Sequence, residues 1–278
     1  MTASVGHVSS DMWHRPTTRA LLDLIADLPA LEWVHTSSAG VEGRAFRRLL
    51  ERGVLLTNGS GANSAAIAHH VLALMLSHAR RLPEYHAQQG QRVWKRLDGD
   101  ELTDTTALII GLGGIGRRVA RLCHAFDMRT IGIRRQSESM PEVDRLLPPG
   151  ELRAALAEAD YVVLACPLTD ETRGLIDAVA LATMKPTAYL INVARGPVVV
   201  TEALVAALHG RAIGGAAVDV FDREPLPADS PLWDAPNLTL TPHAAGSSPY
   251  NPLRNAEAFL DNLQRFVAGQ PLHNVVYG

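Results

Sequence analysis

From residue 106 onward the chain alternates two spacings of apolar residues. Short continuous apolar runs, "TALII" (106–110), "RTIGI" (129–133), "YVVLAC" (161–166), "AYLINV" (188–193), "GGAAVDV" (214–220) and "LTLT" (238–241), predict strands buried on both faces. Between them, residues 115–126 and the stretches "GELRAALAEA", "DAVALATMK" and "TEALVAALHG" predict helices. In the last of these Thr201 stands where an N-cap is expected, and Gly210 where the helix would stop. Strand and helix in regular alternation predict an α/β fold built on a doubly wound parallel sheet.

The first 60 residues predict a smaller α/β unit, with "VGHVS" and "LEWVHTS" as strands and "PTTRALLDLIADL" as the helix between them. A long helical segment, "NSAAIAHHVLALMLSHARRL", leads from there toward the large sheet. At the far end, "NPLRNAEAFLDNLQRFVAG" is amphipathic, with Leu253, Ala256, Phe259, Leu260, Leu263 and Val267 on one side. That face predicts a helix returning to pack on the N-terminal unit. The expected division is therefore residues 1–62 and 247–278 in one discontinuous domain and 63–246 in the other.

The turn "GLGGIGRRVA" follows the first strand of the large sheet and opens a helix. Gly111, Gly113 and Gly116 fit GxGxxG: one glycine for the tight turn, one for close approach of backbone to a pyrophosphate, one for helix–strand packing. The helix N-terminus adds amides and positive dipole toward an anion. In this context the turn predicts a Rossmann domain binding a dinucleotide. The second strand ends in "GIRRQS", with Arg134 lying 18 residues beyond Gly116 and Arg135 beside it, where NAD-binding chains place an acid. Two guanidiniums there suit a ribose phosphate, so NADP(H) is expected to be preferred, with NAD(H) possible.

Three polar residues stand at later strand ends. Arg195 is in "INVARGP", Glu224 in "VDVFDREPLP" and His243 in "LTPHAAG". Each alone reads as a surface ion pair or a packed polar group. Converging beside a nicotinamide, they would form a hydride-transfer site: arginine holding a substrate carboxylate, histidine donating a proton, glutamate orienting the imidazole.

Composition narrows the partners. A formal charge of −3 gives no long-range attraction to nucleic acid or anionic lipid, and there is no basic run. The start "MTASVGHVSS" lacks the pattern of a secretory signal, and the longest apolar run, "VLALML" (71–76), is far below the roughly 20 residues of a membrane span. A cytoplasmic location without membrane or nucleic-acid partners is expected. Cys123 and Cys166 sit apart with no metal spacing, the histidines show no HExxH pattern, and adjacent His69 and His70 point about 100° apart on a helix. No metal is expected.

The order "GLGGIG", "CPLTDET", "INVARGP", "AAVDVFDREPLP" and "LTPHAAG" resembles the D-isomer-specific 2-hydroxyacid dehydrogenase family over residues from about 35 to 270. The resemblance implies a catalytic Arg195, Glu224 and His243, and a flavodoxin-like substrate domain beside the Rossmann coenzyme domain. It implies that Ser38, Ala39 and Gly40 of "TSSAGVE" present amides to the substrate carboxylate. Gly114 and Ile115 would meet the pyrophosphate; Cys166, Pro167 and Thr172 would border the adenosine side. Val193, Ala194 and Arg195 would face the nicotinamide, with Asp219 on its carboxamide and Gly246 nearby. Trp13, Trp33, Trp94 and Tyr250 are candidates for the wall of the substrate pocket. The segment "RRLPEYHAQQGQRVW" resembles the arm through which relatives form dimers.

Two departures stand out. Relatives usually begin with a further strand, helix and strand, whereas about 30 residues precede "PALEWVHTSSAG" here; either that layer is lost or the start lies inside a longer reading frame. A helix that reads "AEH" in relatives reads "AHH", putting His69 in place of glutamate. The leading expectation is an NADPH-dependent reductase of a small 2-oxoacid to the D-2-hydroxyacid, of the glyoxylate/hydroxypyruvate type. The same chemistry on a specialised biosynthetic 2-oxoacid, or a cofactor-binding pseudoenzyme or sensor, are the competing readings.

Overall fold

A computed structural model describes residues 4–9, 12, 17–41, 43–135 and 140–277. The chain divides into two compact units, Met1–Ser64 with Ser247–Gly278, and Ala65–Gly246.

In the first unit β1 (Val5–Val8), α1 (Thr18–Ala26), β2 (Trp33–Thr36), α2 (Arg44–Glu51) and β3 (Leu55–Asn58) follow in order. β1, β2 and β3 are parallel neighbours, and a C-terminal strand, Val275–Val276, adds antiparallel to β3. Side chains alternate across the sheet. Val8, Val34 and Leu56 meet Leu22, Phe46 and Leu49 of α1 and α2 on one face. On the other face Trp33 stacks on Phe259 and packs against Phe266 of the C-terminal helix Asn251–Val267, at 5.5 and 5.3 Å between ring centroids.

That contact corrects two expectations. Trp33 is core, not pocket wall, while Trp13 lies outside the described residues. Of the expected stripe, Phe259 and Leu263 are half-buried, whereas Leu253, Leu260 and Val267 are 60, 54 and 81% exposed. The helix is instead turned by its two phenylalanines and by Asn262, whose carboxamide donates to His273 O (3.0 Å) and accepts the His273 N–H (2.8 Å), closing the following turn. Polar anchoring outweighed the apolar stripe because Asn262 is buried and needs its partners.

The second unit begins with α3 (Ser64–Ala79) and α4 (Leu82–Gly90), then builds β4 (Thr106–Ile110), α5 (Gly114–Ala125), β5 (Arg129–Ile133), β6 (Arg145–Leu147), α6 (Leu152–Glu158), β7 (Tyr161–Leu164), α7 (Ala178–Thr183), β8 (Tyr189–Asn192), α8 (Thr201–His209), β9 (Gly215–Val218) and β10 (Leu238–Leu240). The seven strands are parallel in the order β10-β9-β8-β7-β4-β5-β6. The chain runs outward from β4 through β5 to β6, then crosses to β7 and continues the other way. The strand order therefore reverses at β4 and β7, where such sheets open a ligand crevice at their carboxyl ends. One face packs Leu108, Val162, Leu164 and Leu190 against Leu156, Leu181, Leu204 and Leu208 of α6, α7 and α8. The other packs Ile109, Val163 and Ile191 against Val71 and Met75 of α3 and Val119 and Cys123 of α5.

The edge strand β6 escaped the pattern because it is three residues long and only half-buried. α8 is capped differently from expectation: Thr201 is its first helical residue, Val200 is the N-cap, and Thr201 Oγ1 donates to Asp222 Oδ2 (2.9 Å). Gly210 ends the helix in a right-handed conformation, and the left-handed turn falls on Arg211 (φ 54°). Among the described residues no helix is long and apolar enough to cross a membrane.

Candidate active site

The glycine turn lies at the carboxyl end of β4. Gly111 has φ +96°, and a Cβ there would fall 2.6 Å from Cys166 Cα; a Cβ on Gly116 would fall 2.0 Å from Gly111 O. Both glycines are therefore closed in by the chain itself. Gly113 differs, since a Cβ on it would project into open space. It is also the N-cap of α5, and among the described residues no side chain caps that helix end. Bare glycine backbone in front of an uncapped helix N-terminus, with Gly114 and Ile115 as the first helical residues, fits the pyrophosphate of a dinucleotide.

Around this turn lie the loops expected to border the adenosine. Arg134 and Arg135 follow β5, and Arg134 Nη1 reaches Met140 Sδ at 3.4 Å; the residues 136–139 between them lie outside the described ones. After β7, Thr172 Oγ1 donates to Pro167 O and accepts the Thr169 N–H, both at 2.7 Å, so Thr172 closes its own loop. Glu171 in that loop is held below the usual carboxylate range by the Thr169 hydroxyl, with a smaller pull from Arg135. Cys166 is buried, and burial pushes its thiol up to about 11, which leaves it a neutral packing group.

Arg195 stands one turn beyond β8. The buried Asn192 shapes that turn: its Oδ1 accepts the Ala194 N–H and its Nδ2 donates to Arg195 O, each at 3.0 Å. Val193 and Ala194 are buried, and Arg195 Nη1 donates to Ala194 O at 2.8 Å. A Cβ on Gly196 would sit 2.0 Å from Phe221 C, so only glycine lets this turn lie against the segment leading to Glu224.

Glu224 and His243 come together from different strand ends. Glu224 Oε2 is 2.7 Å from His243 Nδ1, and its Oε1 accepts the Phe221 N–H at 2.9 Å. His243 has φ 52°, the left-handed region that costs a non-glycine residue about 1–2 kcal/mol. Its N–H donates to Asp219 O at 2.8 Å. Asp219, buried at the end of β9, holds the rest of the loop: Oδ1 accepts Thr241 Oγ1–H (2.5 Å) and the Ala244 N–H (2.8 Å), and Oδ2 accepts the Ala245 N–H (3.0 Å). Expected as a nicotinamide contact, Asp219 has most of its acceptor capacity committed within the chain, which leaves room for one further donor at Oδ2. Gly246 ends the same loop.

In the other unit the expected carboxylate loop is clamped from behind. Asn58 Nδ2 donates to Ala39 O (2.9 Å), and Gly59 N donates to Ser38 O (3.2 Å). The Ser38 amide turns toward Thr36 Oγ1 (3.3 Å), so of the three expected amides those of Ala39 and Gly40 are the ones without an acceptor among the described residues. Sequence reasoning missed Asn58, Asn192, Gly196 and Thr241. A polar residue closing an apolar strand was the available signal for Asn58 and Asn192.

A pyrophosphate cradle at the switch point, with an imidazole–carboxylate pair fixed on the same sheet edge, defines a nicotinamide-dependent oxidoreductase. Residues 72–245 match the model of the D-isomer specific 2-hydroxyacid dehydrogenase NAD binding domain. Over 260 residues the chain is 36% identical to glyoxylate/hydroxypyruvate reductase B of Pectobacterium carotovorum subsp. carotovorum, covering 91% of this chain and 81% of that one. Among solved structures, a D-isomer specific 2-hydroxyacid dehydrogenase family protein from Aeromonas salmonicida superposes with TM-score 0.85 at 31% identity over 99% of both chains. The NADPH-dependent glyoxylate/hydroxypyruvate reductase of Sinorhizobium meliloti, solved with NADP and sulfate, superposes with TM-score 0.82 at 31% identity over 92% of this chain and 81% of that one. The chain belongs to the D-isomer specific 2-hydroxyacid dehydrogenase family and is an oxidoreductase acting on a CH–OH group with a nicotinamide cofactor.

Proposed function

We propose that this protein is an NADPH-preferring reductase of small 2-oxoacids, with glyoxylate and hydroxypyruvate as the first substrates to try. The observation that carries this reading is the pairing of His243 with Glu224 on the sheet edge that bears the glycine turn. A reduced nicotinamide dinucleotide whose pyrophosphate rests on that turn would supply the hydride. Because Glu224 occupies Nδ1, His243 is left with Nε2 to give a proton to the substrate's carbonyl oxygen. Arg195 would hold the 2-oxoacid carboxylate through its planar fork and polarise the carbonyl. Glu224 keeps the imidazole oriented for that transfer.

NADPH preference is supported by Arg134 and Arg135 beyond β5, which put positive charge where NAD-binding chains place an acid. A homodimer is supported by the arm around α4, which leaves Leu82, Tyr85, Val93 and Trp94 exposed. The composition suits a cytoplasmic enzyme. The test is absorbance at 340 nm with glyoxylate, hydroxypyruvate, pyruvate and bulkier 2-oxoacids, each with NADPH and NADH. Fastest oxidation of NADPH with the two small acids is expected; NADPH bound tightly but not oxidised with any acid would defeat the reading.

A further inference from the structure

The mechanism above leaves unexplained how a catalytic histidine is kept in a strained backbone conformation. The loop 241–246 that carries His243 rests on the Asp219 carboxylate, which gathers one hydroxyl and two amide donors. Behind that hydroxyl stands His70 of α3, with Nε2 at 3.3 Å from Thr241 Oγ1. The direction of each bond follows from its acceptors. Oδ1 also accepts the Ala244 N–H and Oδ2 the Ala245 N–H, so both carboxylate oxygens act as acceptors and the Thr241 hydroxyl spends its proton on Asp219. Its lone pairs therefore face His70, and only a proton on Nε2 makes that contact a hydrogen bond.

We propose that His70 is a positioning residue for the reaction, donating from Nε2–H to Thr241 Oγ1 and so bracing, through Asp219, the loop that holds His243 against Glu224. The helix α3 is anchored in the core by Val71 and Met75, which makes it a rigid post for this brace. Left-handed backbone at a non-glycine residue persists only where surrounding contacts over-determine it. Here the N–H of His243 goes to Asp219 O, its ring to Glu224, and the Asp219 side chain to the residues on either side. His70 is the outermost member of that set. The adjacent His69 is exposed and takes no part.

The proposal rests on His243 being the proton donor, and the experiment separates the two. His70→Phe keeps a ring and loses the donor, whereas His70→Gln carries an amide nitrogen near the position of Nε2. Reduction at saturating NADPH, NADPH dissociation by fluorescence titration and thermal unfolding are measured for both, for Thr241→Val, for the double variant His70→Phe/Thr241→Val, and for His243→Ala. Expected are a kcat about 3- to 10-fold lower for His70→Phe, as for one neutral hydrogen bond, with NADPH affinity unchanged. His70→Gln should recover most of the loss, and the double variant should be no slower than Thr241→Val alone. Selective 15N-histidine labelling of the unaltered protein gives a readout independent of turnover, with His70 expected protonated on Nε2. Wild-type kcat for His70→Phe, multiplicative losses in the double variant, or a His70 proton on Nδ1 would overturn the brace. Full activity of His243→Ala would overturn the parent reading instead.

Discussion

Glu224 Oε2 lies 2.7 Å from His243 Nδ1 while the other oxygen of the same carboxylate accepts the Phe221 N–H at 2.9 Å. The carboxylate is thus held at both oxygens, and the ring it orients has one nitrogen left for chemistry. Replacing His243 by Ala should lower kcat about 10²- to 10⁴-fold, the usual worth of a general acid, with NADPH affinity unchanged. Replacing Glu224 by Gln removes the carboxylate that orients the ring and should lower kcat roughly 10- to 100-fold. Steady-state assays with a parallel binding titration check both; wild-type turnover in either variant would remove that residue from the mechanism.

The glycines of the turn should part company on substitution. Gly113→Ala adds a methyl in open space at φ −77°, so thermal unfolding should be unchanged while NADPH affinity falls at least about tenfold, because the cradle is blocked. Gly116→Ala places its methyl 2.0 Å from Gly111 O and should cost several kcal/mol of stability. An NADPH affinity unaltered by Gly113→Ala would mean that the pyrophosphate does not lie there.

Cofactor choice is tested by exchanging Arg134 and Arg135 for Asp and Ser. The guanidiniums are replaced by a carboxylate that repels a ribose phosphate and accepts from a free ribose hydroxyl. The ratio of kcat/KM for NADPH over NADH should fall by at least about tenfold. A constant ratio would place both arginines outside the ribose pocket.

His35 predicts a pH dependence of stability in the smaller unit. It is buried, with Nδ1 2.9 Å from Thr57 Oγ1 and, among the described residues, no partner for Nε2. Burial, with a smaller push from His7, lowers it to about 4. In the unfolded chain an ordinary histidine takes up its proton near 6.5. Between those values the unfolded chain binds a proton that the native one refuses, so stability falls as pH falls, by about 1.4 kcal/mol per pH unit. Denaturant unfolding at pH 7 and pH 5 should show a steeper loss for the native sequence than for His35→Gln. Equal slopes would mean that His35 titrates freely.

Much of this was legible in the residues. Continuous apolar runs require burial on both faces, which a parallel sheet between helix layers provides, and six of the seven strands of the larger sheet follow from that alone. The glycine spacing is equally local, since a tight turn and a close helix approach each forbid a Cβ at a fixed position. Arg195, Glu224 and His243 stood out as candidates because each follows an apolar strand. What the chain could not show locally was which polar atoms meet. Thr241, Ala244 and Ala245 converge on Asp219 only because β9 and β10 are neighbours in register, and His70 reaches Thr241 across 171 residues. The C-terminal helix makes the same point in reverse: of the apolar stripe predicted to be buried, Phe259 packs on Trp33 while Leu253, Leu260 and Val267 stay exposed, and Phe266 and Asn262 from outside the stripe turn inward. Periodicity is a property of neighbours along the chain and fixes elements. The rotation of a helix and the partners of a buried polar group depend on what packs against them, and that is decided only when distant segments compete for the same contacts.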